Sequence, residues 1–132
     1  MTAVAERARL AIRTATRADL DALASLRPSV HEKHARALPH LLKATTHEAA
    51  RREAETWLGQ PNVSVLIAHA DGEPVGYMRL EIFDRPENDL AHARRVLYLD
   101  QIAVRESGQG HGYGKALVAA AVARARLALV VT

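Results

Sequence analysis

The sequence contains no cysteine. That excludes a disulfide framework, a thiolate metal site and a cysteine nucleophile, and makes the reducing cytoplasm the expected location. No apolar run approaches the ~18 residues a membrane helix needs, so no membrane partner is expected. Met1 to Leu10 carries Glu6, Arg7 and Arg9 where a secretory leader would be apolar. Aromatics are few: one Trp, three Tyr and one Phe. They do not interleave with the scattered basic residues (Arg51 and Arg52, Arg94 and Arg95, Arg124 and Arg126), so there is neither a basic stripe nor a stacking platform for nucleic acid.

What is present describes an ordinary folded domain. With 132 residues, 48% hydrophobic and 25% charged, the chain is expected to form one domain over 1–132, with residues 1–9 flexible. A net charge of +3 mildly favours anionic ligands.

Residues 11–15 read as a short strand. Thr16 and Asp19 stand three apart as a capping box, and Leu20, Leu23 and Leu26 give the helix that follows its apolar stripe up to Pro28. Residues 27–39, with two prolines and no clean period, read as a loop or a short helical turn. A second helix is expected to start at Thr45 or Thr46, with Glu48 as box partner, and to run to Leu58 before Gly59. Residues 63–70 and 75–82 around Asp71-Gly72 predict a hairpin. Residues 96–104 predict a third strand of that region. A helix then runs from about Gly112 to Arg126, and the apolar run 127–131 reads as a buried strand parallel to 96–104. The fold class is therefore α/β with a mixed, mostly antiparallel sheet. A bare final strand edge would favour a homo-oligomer formed through it.

Between strand 96–104 and the helix, glycines occupy every second position: Gly108, Gly110, Gly112 and Gly114. Such a loop turns tightly, with amides pointing into one concavity at the positive end of a helix dipole, and so makes a site for phosphate oxygens. It is not a Walker A loop, because Gln109 and Ala116 stand where Gly and Ser or Thr are required. Nor is it a Rossmann fingerprint, whose third glycine would fall on Tyr113 or Lys115.

Gln109-Gly110-His111-Gly112-Tyr113-Gly114 instead resembles the Q/R-x-x-G-x-G loop of the GNAT (Gcn5-related) N-acetyltransferases. The preceding Leu97-Tyr98-Leu99-Asp100-Gln101-Ile102-Ala103-Val104 and the following Lys115-Ala116-Leu117-Val118 match that family's fourth strand and next helix. The resemblance implies the acyl-CoA N-acyltransferase fold, with a strand-helix-strand unit that binds acetyl-CoA as co-substrate and transfers its acetyl group to a primary amine of a small molecule or protein. It also implies that the amides of Gln109, Gly110, His111, Gly112, Tyr113 and Gly114 hold the CoA diphosphate, and that the main chain of Ile102, Ala103 and Val104 pairs with the pantetheine arm. Lys115 either adds charge near a phosphate or is simply a solvated helix residue. Family members continue with a further helix, two strands and often a tyrosine that protonates the thiolate. The sequence does not reach these, so the fold is expected without its last helix and strands. A binding or interaction module without turnover remains the alternative.

Acetyl transfer to an amine needs a base for an ammonium of pKa about 10, an oxyanion donor and proximity. An amide near Ile102 or Ala103 is the expected donor. Asp100 is the candidate base, since Tyr98-Leu99-Asp100 resembles the polyamine-type members, and strand alternation would put Asp100 on the side of Ile102 and Val104. The alternative is a carboxylate satisfied by a nearby arginine. Glu81, acting through a water, is the second candidate. His31 and His34 lack an evident third ligand, so no metal is expected. Trp57 reads as a core anchor. Arg27, His31 and His34 fall in the family's variable acceptor region.

Overall fold

The structure, a computed structural model, describes residues 9–108 and 110–131. The expected flexibility of 1–9 therefore falls almost wholly outside the described residues. Arg9 itself is tied down: its amide donates to Asp71 Oδ1 at 2.9 Å, and its carbonyl accepts from the Asp71 amide at 2.8 Å.

Four strands, β1 (Leu10–Thr14), β2 (Val63–Ala70), β3 (Glu73–Arg85) and β4 (Arg94–Val104), form one sheet in the order β1-β2-β3-β4. All neighbours run antiparallel. The β2–β3 hairpin turns at Asp71 and Gly72, both at positive φ (51° and 83°), the primed-turn geometry that an Asp-Gly pair favours. Period-two alternation then sends the buried residues to opposite faces. Val65, Ile67, Tyr77 and Ala103 pack against α1 (Leu20–Leu26) and α3 (His47–Gly59). Leu66, Ala68, Met78 and Leu80 pack against Leu117 and Ala121 of α4 (Tyr113–Val131).

The first helical region begins as expected. The Thr16 amide donates to Asp19 Oδ2 at 2.7 Å within a single 3-10 turn, Arg17–Asp19, and α1 follows directly. Residues 27–39, expected to be irregular, instead contain α2 (Pro28–Ala37). Arg27 keeps helical angles (φ −58°, ψ −44°) and Pro28 takes the first-turn position, where a missing N–H costs nothing. The next helix is capped by Thr46, whose hydroxyl accepts from the Ala49 amide at 3.1 Å. Glu48 is not a box partner; it pairs with Arg52 one turn on.

The expected strand 127–131 is also corrected. It continues α4 without a break to Val131. An apolar run of five cannot by itself distinguish strand from helix, and no turn residue separates it from the alanine-rich helix before it. No parallel crossover forms among the described residues, and the C-terminal strand edge expected to join copies is replaced by helix. Among the described residues the sheet's edges are β1 and β4.

Two positions carry measurable strain or charge. Asp19, 5% exposed, accepts both ends of the Arg13 guanidinium at 2.7 and 2.6 Å as well as the Thr16 amide. The Arg13 hydrogen bonds, aided by the Thr16 amide, overcome the opposing effect of burial and hold its carboxyl down at about 2. The folded pKa lies below the unfolded one, so this stabilisation is complete above about pH 4 and fades as pH falls towards 2, amounting to roughly 2 kcal/mol at neutrality. Urea titrations at pH 7 and pH 3 should show about half of it, about 1 kcal/mol, already lost at pH 3 in the wild type, a loss that Asp19→Asn largely removes. Gly76 sits where a Cβ would lie 2.8 Å from the Ala103 carbonyl and 3.3 Å from Leu117 Cδ1. Gly76→Ala should therefore cost about 1–3 kcal/mol by chemical denaturation, because backbone as well as side chain must give way.

Candidate active site

The glycine loop forms the connection from β4 to α4. Past Val104 the Arg105 amide bonds to the Val75 carbonyl at 2.8 Å, and a single 3-10 turn, Glu106–Gly108, closes with the Gly108 amide on the Arg105 carbonyl at 2.8 Å. Gly108 is buried under Tyr113: a Cβ there would lie 2.9 Å from Tyr113 Cε2. Gly110 and Gly112 take φ of 89° and 81°, left-handed conformations that side chains resist. The first helical bond of α4 runs from the Ala116 amide to the Gly112 carbonyl at 3.0 Å. The amides of Tyr113, Gly114 and Lys115 precede it, and among the described residues they have no carbonyl partner.

A cleft of about 480 Å³ opens there, lined by Val104, the loop glycines, Tyr113 and Lys115. Lys115 is exposed at its rim. Two of the expected amides need qualification. The His111 amide points inward to the Gly108 carbonyl at 3.3 Å, and the exposed His111 ring stacks on Tyr113 with centroids 5.5 Å apart. Gln109 lies outside the described residues.

β4 has a strand neighbour on one side only. The Ala103 carbonyl lies against Gly76 of β3, and the Arg105 amide bonds to β3 as well. Alternation in an antiparallel ladder then turns the main-chain groups of Ile102 and Val104 to the open edge. Of the two expected oxyanion donors, Ile102 faces outward, whereas the main chain of Ala103 faces β3.

A bulge interrupts β4. Arg79 pairs with Gln101 and Leu80 with Leu99, leaving Asp100 without a partner residue. The bulge overturns the expectation that Asp100 shares a face with Ile102 and Val104. Its carboxylate instead accepts from Arg79 Nη1 at 2.7 Å, on the face covered by α1 and α3. Glu81 accepts from the same Nη1, so the two candidate carboxylates converge on one nitrogen. The Arg79 side chain is only 11% exposed; its guanidinium carbon lies 5.6 Å from the Trp57 ring centroid, and its Nε is buried without a hydrogen-bond partner. Asp100 is 38% exposed, the most accessible of the three. Beneath them Tyr77 donates to Gln101 Oε1 at 2.6 Å, and burial holds the Tyr77 phenol far above its ordinary range. Trp57, 8% exposed and 5.9 Å from Tyr77, is a core anchor as read from the sequence.

Two residues of the variable region are engaged outside this cluster. The Lys43 carbonyl lies 2.6 Å from His31 Nε2, and Arg27 pairs with Glu53 at 3.0 Å. Sequence reasoning missed Arg79, Tyr77 and Gln101. The available signal was an arginine two residues before Glu81, at the end of the apolar stretch 75–78, which places both on one face.

The fold recurs in solved structures. A tetramutant of the BH1408 protein from Bacillus halodurans superposes with a TM-score of 0.79 at 20% identity, over 89% of this chain and 76% of that one. A ribosomal-protein-alanine N-acetyltransferase from Brucella melitensis biovar Abortus gives 0.66 at 24% identity, over 91% and 74%. An aminoglycoside N-acetyltransferase, AAC(6')-Iy, in complex with CoA gives 0.63 at 22% identity, over 90% and 70%. No curated protein matches the chain by sequence. The profile of the acetyltransferase (GNAT) family matches residues 27–130, spanning α2, α3, the hairpin, the bulged strand, the glycine loop and nearly all of α4. This chain belongs to the GNAT family of acetyltransferases.

Proposed function

We propose that the protein transfers the acetyl group of acetyl-CoA to a primary amine of a small molecule or a protein. The observation that carries this reading is the set of first-turn amides at Tyr113, Gly114 and Lys115, which have no carbonyl partner among the described residues and open on a cleft at the end of a strand that has a single strand neighbour among them. Those amides and the helix dipole would hold the diphosphate, with Gly110 and Gly112 keeping the approach clear. The Ile102 and Val104 main chain would pair with the extended arm as a further strand. Bound there, acetyl-CoA supplies the activated thioester. The Ile102 amide then faces the developing oxyanion, and Asp100, beside the bulge, takes the proton of the ammonium, with Glu81 next to it on the same guanidinium. A chain without cysteine suits this work in the cytoplasm.

One observation favours the alternative, an acyl-CoA-binding module without turnover: Arg79 engages both carboxylates, so neither is free to act as base. Calorimetry with CoA, together with thiol release from acetyl-CoA over a panel of amines, separates the readings. Binding with release supports the enzyme, binding without release selects the module, and absence of binding at millimolar CoA removes both.

Gly112→Val forces a side chain into a left-handed conformation and should weaken CoA binding by about tenfold or more while leaving the far-ultraviolet circular dichroism unchanged. Asp100→Asn should lower kcat about 10²-fold to 10⁴-fold with little change in CoA affinity, read from initial rates and calorimetry.

A further inference from the structure

The face of the sheet carrying Asp100 continues beyond the carboxylates as a row of three chemically distinct surfaces. Cross-strand register puts Tyr98 of β4 directly opposite Glu81 of β3, and alternation puts Phe83 on that same face. Tyr98 is 52% exposed, and its ring centroid is 6.4 Å from that of Phe83. Next along β3, the Arg85 guanidinium carbon stands 5.5 Å from the Phe83 centroid. Among the described residues Arg85 pairs with no carboxylate; its neighbour Asp84 is taken by Arg95 at 2.9 Å. The order along the surface is thus a carboxylate pair, an aromatic shelf and a free cation.

Charge counting narrows what such a surface accepts. Glu81 and Asp100 bring two formal negative charges and Arg79 one positive, leaving one negative charge for a ligand to meet. One ammonium completes the balance. A second ammonium on an extended molecule would pass over the shelf and reach Arg85, a like charge. A flat or apolar stem would instead lie against Tyr98 and Phe83, where exposed aromatic surface is otherwise left to water.

Resting on the acetyl-transfer reading above, we propose that the acceptor is a monoamine with an apolar, preferably aromatic, stem, and that Arg79, Tyr98 and Arg85 set this preference. The ammonium meets Asp100 and Glu81, Tyr98 and Phe83 carry the stem, Arg79 cancels the second negative charge, and Arg85 repels a second positive one. Arg79, Tyr98 and Arg85 act on acceptor choice, and none of them is a proton acceptor in the transfer.

The test compares kcat/KM for 2-phenylethylamine, butylamine and 1,8-diaminooctane, a diamine long enough to cross the shelf, with acetyl-CoA, in wild type and in Tyr98→Ala, Tyr98→Phe, Arg85→Glu and Arg79→Gln. Phenylethylamine should lead the diamine by about tenfold or more in the wild type, the range a single apolar pocket contact can supply. Tyr98→Ala should raise KM for phenylethylamine by about fivefold to tenfold, with kcat within about twofold and butylamine little affected, and Tyr98→Phe should restore it. Arg85→Glu, an exposed substitution, should move the ratio towards the diamine, and Arg79→Gln should do the same if thermal melting shows it folded. A wild type that prefers the diamine, or a Tyr98→Ala effect equal on all three amines, overturns the proposal while leaving acetyl transfer standing. Thiol release with none of the three amines, but with other acceptors, overturns it equally; release with no acceptor at all is instead the failure of the transfer reading.

Discussion

A guanidinium that is nine parts in ten shielded from water has to be neutralised where it sits, and Arg79 is in that position at the centre of the sheet. Its two partners come from different strands, Glu81 from β3 itself and Asp100 from β4. Regular alternation would have sent the Asp100 side chain elsewhere. The bulge between the Arg79–Gln101 and Leu80–Leu99 pairs removes that conflict by letting Asp100 stand outside the ladder. The same extra residue rephases everything beyond it, so that Ala103 turns its main chain to β3 and Ile102 turns outward. One buried charge therefore ties together the candidate base, the candidate oxyanion donor and the free edge of β4.

The features legible in the sequence are those whose cause is local. Asp71-Gly72 specifies its turn through the two positive φ values it adopts, and Thr16 with Asp19 forms its cap within three residues. The glycines at 108, 110 and 112 announce a loop that needs a close approach to Tyr113 and two left-handed residues. What sequence could not supply depends on partners far along the chain. Pro28 looks like a stop, yet Arg27 stays helical, with its side chain paired to Glu53 of α3. Asp100 looks like a regular strand position because a bulge leaves no mark in a single strand's pattern. Residues 127–131 looked like a strand because their composition suits a buried element of either kind, and nothing nearby breaks the helix that reaches them. The family resemblance pointed to the glycine loop and Asp100, but not to Arg79, because that resemblance rests on β4 and its loop, whereas Arg79 stands on β3.

The sheet separates two kinds of recognition that would interfere if mixed. The amides proposed to bind an anion lie at the end of β4, where α4 starts; the net negative carboxylate cluster lies on the opposite face, under α1 and α3. Phosphates placed beside Asp100 and Glu81 would be repelled, and an ammonium placed beside the helix N-terminus would meet the wrong end of its dipole. On the proposed reading, keeping the two apart would let each ligand find a field of the right sign, with the edge of β4 running between them.

That edge also acts as a ruler. From Asp100 to Val104 the chain runs four residues of extended strand, about 13 Å at roughly 3.3 Å per residue. A ligand whose diphosphate rests on the Tyr113–Lys115 amides must reach back along that length in an extended form before a reactive group arrives beside Asp100. A short phosphate ester would stop at the glycines, and only a long, thin arm able to pair with Ile102 and Val104 would present its far end at the bulge. Gly76 lies between the two elements that frame this length, since a Cβ there would meet both the Ala103 carbonyl of β4 and Leu117 of α4. On the acetyl-CoA reading proposed above, the separation of the two sites along β4 would favour a long thioester carrier over smaller nucleotides, by geometry that no single residue in either site contains.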